Sequence, residues 1–135
     1  MGSDEMALTE SVIPVGIEAP RAARVVVTRC LGEHVAASVL DTALLLVSEM
    51  VSNSVRHSGA RDGEDVVLRV QLGDDRCRLE VQDPGRSGVV APRPLDLGKG
   101  ALGLHLVDTL SERWGVVRDA DGPTRVWAQL SCAAA

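Results

Sequence analysis

The sequence predicts an α+β two-layer sandwich, a mixed and mostly antiparallel sheet with helices on one face. Three observations carry this reading. Two pairs of alternating apolar–polar segments are joined by short turns, as in hairpins. Three other segments repeat apolar residues at helical spacing. Most strands follow another strand and not a crossover helix, which separates α+β from α/β order. The chain has 135 residues, enough for one core and too few for two.

The elements follow in order. Residues 1–11 are expected to be flexible, 12–131 to form the domain, and 132–135 to be a tail. Ser11 to Glu18 alternates Val12, Val15 and Ile17 and predicts a first strand, with Pro14 favouring a sheet edge. Pro20 opens a helix at a favoured first-turn position, with Val25, Val26 and Leu31 inward. A second helix starts near Ser38 or Asp41, both N-cap types, and ends near His57 before Ser58 and Gly59. "DVVLRVQLG" and "RCRLEVQD" alternate around the turn Gly73-Asp74-Asp75 and make a hairpin with one wet face. Residues 83–100 hold three prolines and several glycines and predict a long loop, of the kind that carries function or moves. "ALGLHLVDTLSERW" returns to helical spacing through Leu102, Leu106 and Leu110, and "GVVRD" with "TRVWAQLS" closes the chain as a second hairpin.

Composition excludes several functions. Hydrophobic residues make up 45% and charged residues 24%, ordinary globular values. Phe and Tyr are absent and Trp occurs twice, so the core is built from Val, Leu and Ala and base stacking is not a mainstay. A net charge of −5 argues against a nucleic-acid scaffold, which needs a basic face. It leaves open a small phosphate compound whose charge Mg²⁺ neutralises. The three cysteines have no C-x-x-C spacing and predict reduced thiols. No signal peptide and no membrane span are seen, so a cytoplasmic, soluble protein is expected.

Three sites could carry chemistry. Glu49, Asn53 and His57 are each four residues apart on the second helix and form one polar row beside an apolar stripe. The Asn53 amide oxygen suits Mg²⁺, which takes few protein ligands. Glu49 could orient or deprotonate an attacking group. A wet helix face would show the same residues. Asp83-Pro84-Gly85 places an acceptor at a strand end beside a glycine, and is also ordinary turn chemistry. Gly98-Lys99-Gly100-Ala101-Leu102-Gly103 feeds a helix N-terminus that could hold phosphate. The string matches G-x-G-x-x-G, but a proline-rich loop and not a strand precedes it, which removes the dinucleotide reading. Lys99 lies between the glycines and no Ser or Thr follows, which removes a Walker motif.

Together these motifs resemble a known family. Glu49 to His57 resembles the N-box of the GHKL ATPases, which unite DNA gyrase, sensor histidine kinases and the mismatch-repair MutL proteins. Asp83-Pro84-Gly85 resembles their first glycine box, Leu102 to Val107 the second, and Gly122 to Trp127 the closing box. The order fits over nearly the whole chain, and the compact length resembles the stand-alone anti-sigma factor serine/threonine kinases. The resemblance implies a Bergerat ATP-binding fold with ATP and Mg²⁺. Asn53 would bind the metal and Glu49 would be the general base. Arg56 and His57 would lie near the phosphates. Asp83 would accept the adenine amino hydrogen, Gly85 would leave room for the ring, and Thr124 would support the Asp83 contact. Gly100 and Gly103 would sit at the phosphates in a lid, with Leu104 following them in the same box.

The implied function is phosphorylation of an anti-sigma antagonist and sequestration of a sigma factor. A non-catalytic ATP-binding partner-switching module is the alternative, favoured by two departures from the pattern, Ser87 and Ala101, which both fall in the lid. Nucleic acid and membrane are not expected partners. Relatives commonly dimerise and bind partners through the first strand and helix, around Arg21 and Arg24, so a homodimer is implied, although both arginines read equally well as solvent-facing. No phosphoacceptor-histidine helix is present, and His34, His57 and His105 read as local polar residues.

Overall fold

The computed structural model describes residues 7–58, 61–85, 97–118 and 122–132. In chain order they form β1 (Ala7–Pro14), α1 (Ala19–Leu31), α2 (Ala37–Ser58), β2 (Asp65–Leu72), β3 (Arg76–Gln82), α3 (Leu97–Leu110), β4 (Arg113–Arg118) and β5 (Thr124–Ser131). The five strands make one sheet in the order β1-β2-β3-β5-β4. All four ladders are antiparallel, so the sheet is not mixed as the sequence suggested. The expected α+β sandwich is otherwise what the chain adopts.

Alternation fixes the register. Val66, Leu68 and Val70 of β2 and Cys77, Leu79 and Val81 of β3 are all buried on one face. Val126, Ala128 and Leu130 continue that face on β5. A slip of one residue would turn each of these sets to water. The helices cover this face. α2 is central, packing on α1 and α3 and on β2, β3 and β5. Its Ala43, Leu46, Val47, Met50 and Val51 are buried. α1 buries Ala19, Ala23, Val27 and Leu31, a stripe at four-residue spacing.

That stripe corrects one reading. Val25 was expected inward and is 45% exposed, because it lies about half a turn away from Ala23 and Val27. The first strand begins at Ala7 and ends at Pro14, earlier at both ends than expected. Its first four residues, Ala7 to Glu10, are exposed whether apolar or polar, so sequence gives no burial signal there. They are held as a strand by backbone pairing to β2, with Ala7 opposite Leu72. α3 begins at Leu97, inside the stretch read as irregular, and takes Gly98 and Gly100 into its first turn. Each glycine costs about 1 kcal/mol in a helix, which is why the sequence read as a loop there. β4 likewise starts at Arg113 and takes in Trp114, read from sequence as the end of the helix. Residues 86–96 and Gly59 lie outside the described residues. Among the described residues no helix is long and apolar enough to cross a membrane.

Candidate functional site

The direction of the helices decides which motifs meet. A shallow cleft is lined by Ser38, Val39 and Thr42 of α2, by Leu110 at the end of α3, and by Leu130 and Ser131 at the end of β5. The start of α2 therefore lies beside the ends of α3 and β5. Asn53 is about 16 Å further along α2 than Thr42 at 1.5 Å per residue. The first turn of α3 is set back by about 15 Å from Leu110 on the same rule. Thr124, at the start of β5, is at the far end of that strand from Ser131. Asn53, the glycine-bearing turn of α3 and Thr124 thus occupy one end of the sandwich, opposite the cleft. Asp83 is there too, bonded to Thr124.

Asp83 sits in a clasp. It follows β3 and is 9% exposed. Its N–H donates to the Thr124 carbonyl at 3.0 Å. The Thr124 N–H returns a bond to Asp83 Oδ1 at 3.0 Å. The Gly85 N–H donates to the same oxygen at 3.0 Å. Two amides on one carboxylate oxygen fix the side chain and direct Oδ2 elsewhere. Gly85 has φ of +73°. A Cβ there would come within 3.0 Å of the Pro123 ring. On that side Gly85 accommodates Pro123, a residue of the Gly122–Trp127 stretch whose contact with Gly85 the sequence did not reveal.

On α2, Glu49 is half-buried and Asn53 is 8% exposed. Asn53 Oδ1 is buried with no hydrogen-bond partner. An orphaned acceptor of this kind costs about 1–3 kcal/mol in a folded protein. Such an atom fits a hard cation, which prefers an oxygen ligand. Among the described residues no group of three or more His, Cys, Asp or Glu stands ready for a metal. Arg56 is exposed one turn beyond Ser52. His57 lies in α2, and its side chain is outside the described residues, as is that of Ser58. Gly100 and Gly103 are within α3, and Leu104 packs partly buried against the core. Thr124 is half-buried at the start of β5. Ser87 falls outside the described residues.

The thiols lie elsewhere. Cys77 and Cys132 are buried beside one another at the far end of β3 and β5. Burial first, and the neighbouring Cys132 second, push the Cys77 thiol up to about 12. Burial likewise raises Cys132. Neither is poised as a nucleophile.

Comparison with known proteins bears on this site. A search of curated proteins found no match. The RsbU and RsbW domains of Rv1364c from Mycobacterium tuberculosis superpose with a TM-score of 0.70 at 22% identity, over 95% of this chain and 33% of that one. This chain therefore spans about a third of the length of that protein. The SiaB–SiaC complex of Pseudomonas aeruginosa superposes with a TM-score of 0.59 at 12% identity, over 91% of this chain and 89% of that one. At these identities the likeness is one of fold. The sequence model of the histidine kinase-like ATPase domain matches residues 13–130, a match that implies ATP binding. An end of the sandwich that gathers a clasped aspartate, an orphaned amide oxygen and a helix start is thus found in a chain that belongs to the histidine kinase-like ATPase domain family.

Proposed function

We propose that this chain is an anti-sigma-type serine/threonine protein kinase, which binds ATP with Mg²⁺, phosphorylates an anti-sigma antagonist and sequesters a sigma factor. The observation that carries the reading is Asn53 Oδ1, a buried acceptor without a partner, one helical turn from Glu49. The fold likeness to an RsbW-containing protein supports the class.

The residues divide the work by position. Asp83 Oδ2, turned away from the two amides on Oδ1, accepts the amino hydrogen of adenine. The Thr124 and Gly85 amides hold that carboxylate in place. Asn53 would hold Mg²⁺ through Oδ1, and the ion would supply neutralisation of the triphosphate charge. Arg56, His57, Gly100, Gly103 and Leu104 belong to the phosphate end. Glu49 orients the serine hydroxyl of the partner and accepts its proton as the γ-phosphoryl group leaves ATP. Phosphoryl transfer rests mainly on positioning and charge neutralisation, so a small domain suffices.

The test is transfer of labelled phosphate from ATP to an antagonist protein by the native chain and by Glu49→Gln. Loss of transfer with nucleotide binding kept supports the assignment. Transfer retained in Glu49→Gln overturns Glu49 as base. ATP binding without any transfer by the native chain selects the second reading, a partner-switching module without turnover, which Ser87 and Ala101 favour.

A further inference from the structure

The face of the sheet turned away from the helices has no part in the nucleotide reading. Alternation places on it the residues between the buried ones. One cross-strand row runs Glu10, Arg69, Glu80, Trp127 and Gly115 from edge to edge. Its β1–β2 half is roughly balanced, because Arg69 pairs with Glu10 at 3.0 Å and with Glu80 at 2.9 Å. The β3–β5–β4 half is different. It carries Arg76, Arg78, Arg113 and Arg125, and its one strand acid is Glu80. Glu80 is already held by Arg69 and by Arg78, the latter at 3.5 Å. A basic patch therefore stands on a chain whose net charge is −5.

Trp127 is the centre of the patch. A Cβ at Gly115 would come within 2.8 Å of the indole Nε1, so the ring lies across β4 where there is no side chain. The Arg78 guanidinium stacks 4.4 Å from the ring centroid. Stacking and pairing hold both groups in place before any partner arrives, which lowers the cost of docking. Trp and Arg are the residue types most often dominant in protein interfaces.

We propose that the open face of β3, β5 and β4 docks an acidic segment of a partner protein. Its carboxylates would meet Arg76, Arg78, Arg113 and Arg125, and an apolar side chain would lie on Trp127. Arginine's planar fork matches carboxylate geometry, so a peptide acid suits it. Nucleic acid fits less well, because a phosphate backbone would meet few cations and an overall negative chain. A two-fold second copy fits less well, because it would bring identical basic patches together.

The test is a titration of the full chain with a synthetic glutamate–leucine peptide, followed by the indole N–H resonances of the two tryptophans. The expected result is a saturable shift of Trp127 and not of Trp114, weakened by salt and absent with a lysine–leucine peptide. Arg113→Glu with Arg125→Glu should weaken binding about tenfold or more at an unchanged melting temperature, the loss of one or more charged hot spots. The lysine–leucine control needs no variant, so the test stands even if the double variant fails to fold. No saturable shift, equal binding of both peptides, or equal binding by a folded variant would overturn the proposal. So would tighter binding of single-stranded DNA, or a Trp127 shift that follows protein concentration without peptide.

Discussion

At the scale of single residues, Asn53 makes the sharpest demand. An amide oxygen buried without a partner destabilises the fold, so its removal should cost nothing. Asn53→Ala is expected to melt within about 0.5 kcal/mol of the native chain, or above it, in nucleotide-free buffer. Loss of more than about 1 kcal/mol in a denaturant titration would mean that the amide serves the fold instead. Gly85 makes the opposite demand. Its φ of +73° and the Pro123 ring at 3.0 Å both resist a side chain. Gly85→Ala should lower stability by about 1–3 kcal/mol, read from the urea midpoint. Cys77 gives a pH prediction. Burial raises its folded-state thiol from the ordinary 9.0 to about 12, so the folded chain binds the proton more tightly than the unfolded one. Stability is then fully present below about pH 9 and falls as pH rises toward 12. The chain has no tyrosine and a single lysine, Lys99, so few other groups titrate in that window. Melting temperature measured from pH 8 to 11 should fall in the native chain and fall less in Cys77→Ala. Parallel curves would remove Cys77 as the cause.

At the scale of elements, legibility followed burial. β2, β3 and β5 alternate cleanly because one face meets the helices and the other meets water, and the sequence placed them within a residue or so. The helix that carries Glu49 and Asn53 was equally plain. β1 was not, since an edge strand held by backbone pairing leaves little pattern in its side chains. The start of α3 was hidden by glycines that local propensity counts against a helix. The strand-end Asp-Pro-Gly motif named Asp83 and the family resemblance tied Thr124 to it, but neither gave the bonds themselves, which come from the amides of Gly85 and, 41 residues on, Thr124. Contacts that distant leave no periodic trace. The network on the open face was hidden for the same reason. Arg69 donates to Glu80 and Gln82 and pairs with Glu10, tying β1, β2 and β3 together. Arg69→Leu should destabilise by about 1–3 kcal/mol, because it strips one cation from a largely buried Glu80. A smaller loss in Glu80→Gln/Arg69→Leu than in Arg69→Leu alone would identify the stranded carboxylate as the cause. Equal losses would point to packing.

At the scale of the whole molecule, one sheet and three helices bring Asn53, Asp83, Thr124 and the start of α3 to one end, and the family match implies ATP binding for the chain. On the proposals made above, the two-sided layout would separate two tasks: nucleotide chemistry at the end of the sandwich where β3 ends and β5 begins, and partner contact on the open sheet face. Calorimetric titration with ATP, with and without Mg²⁺, tests the central claim most directly. Asp83→Asn should weaken binding under both conditions, since it removes the acceptor for the base. Asn53→Ala should weaken binding about tenfold or more with Mg²⁺ present and little without it. Native-like affinity in both variants, in the presence of Mg²⁺, would contradict the account.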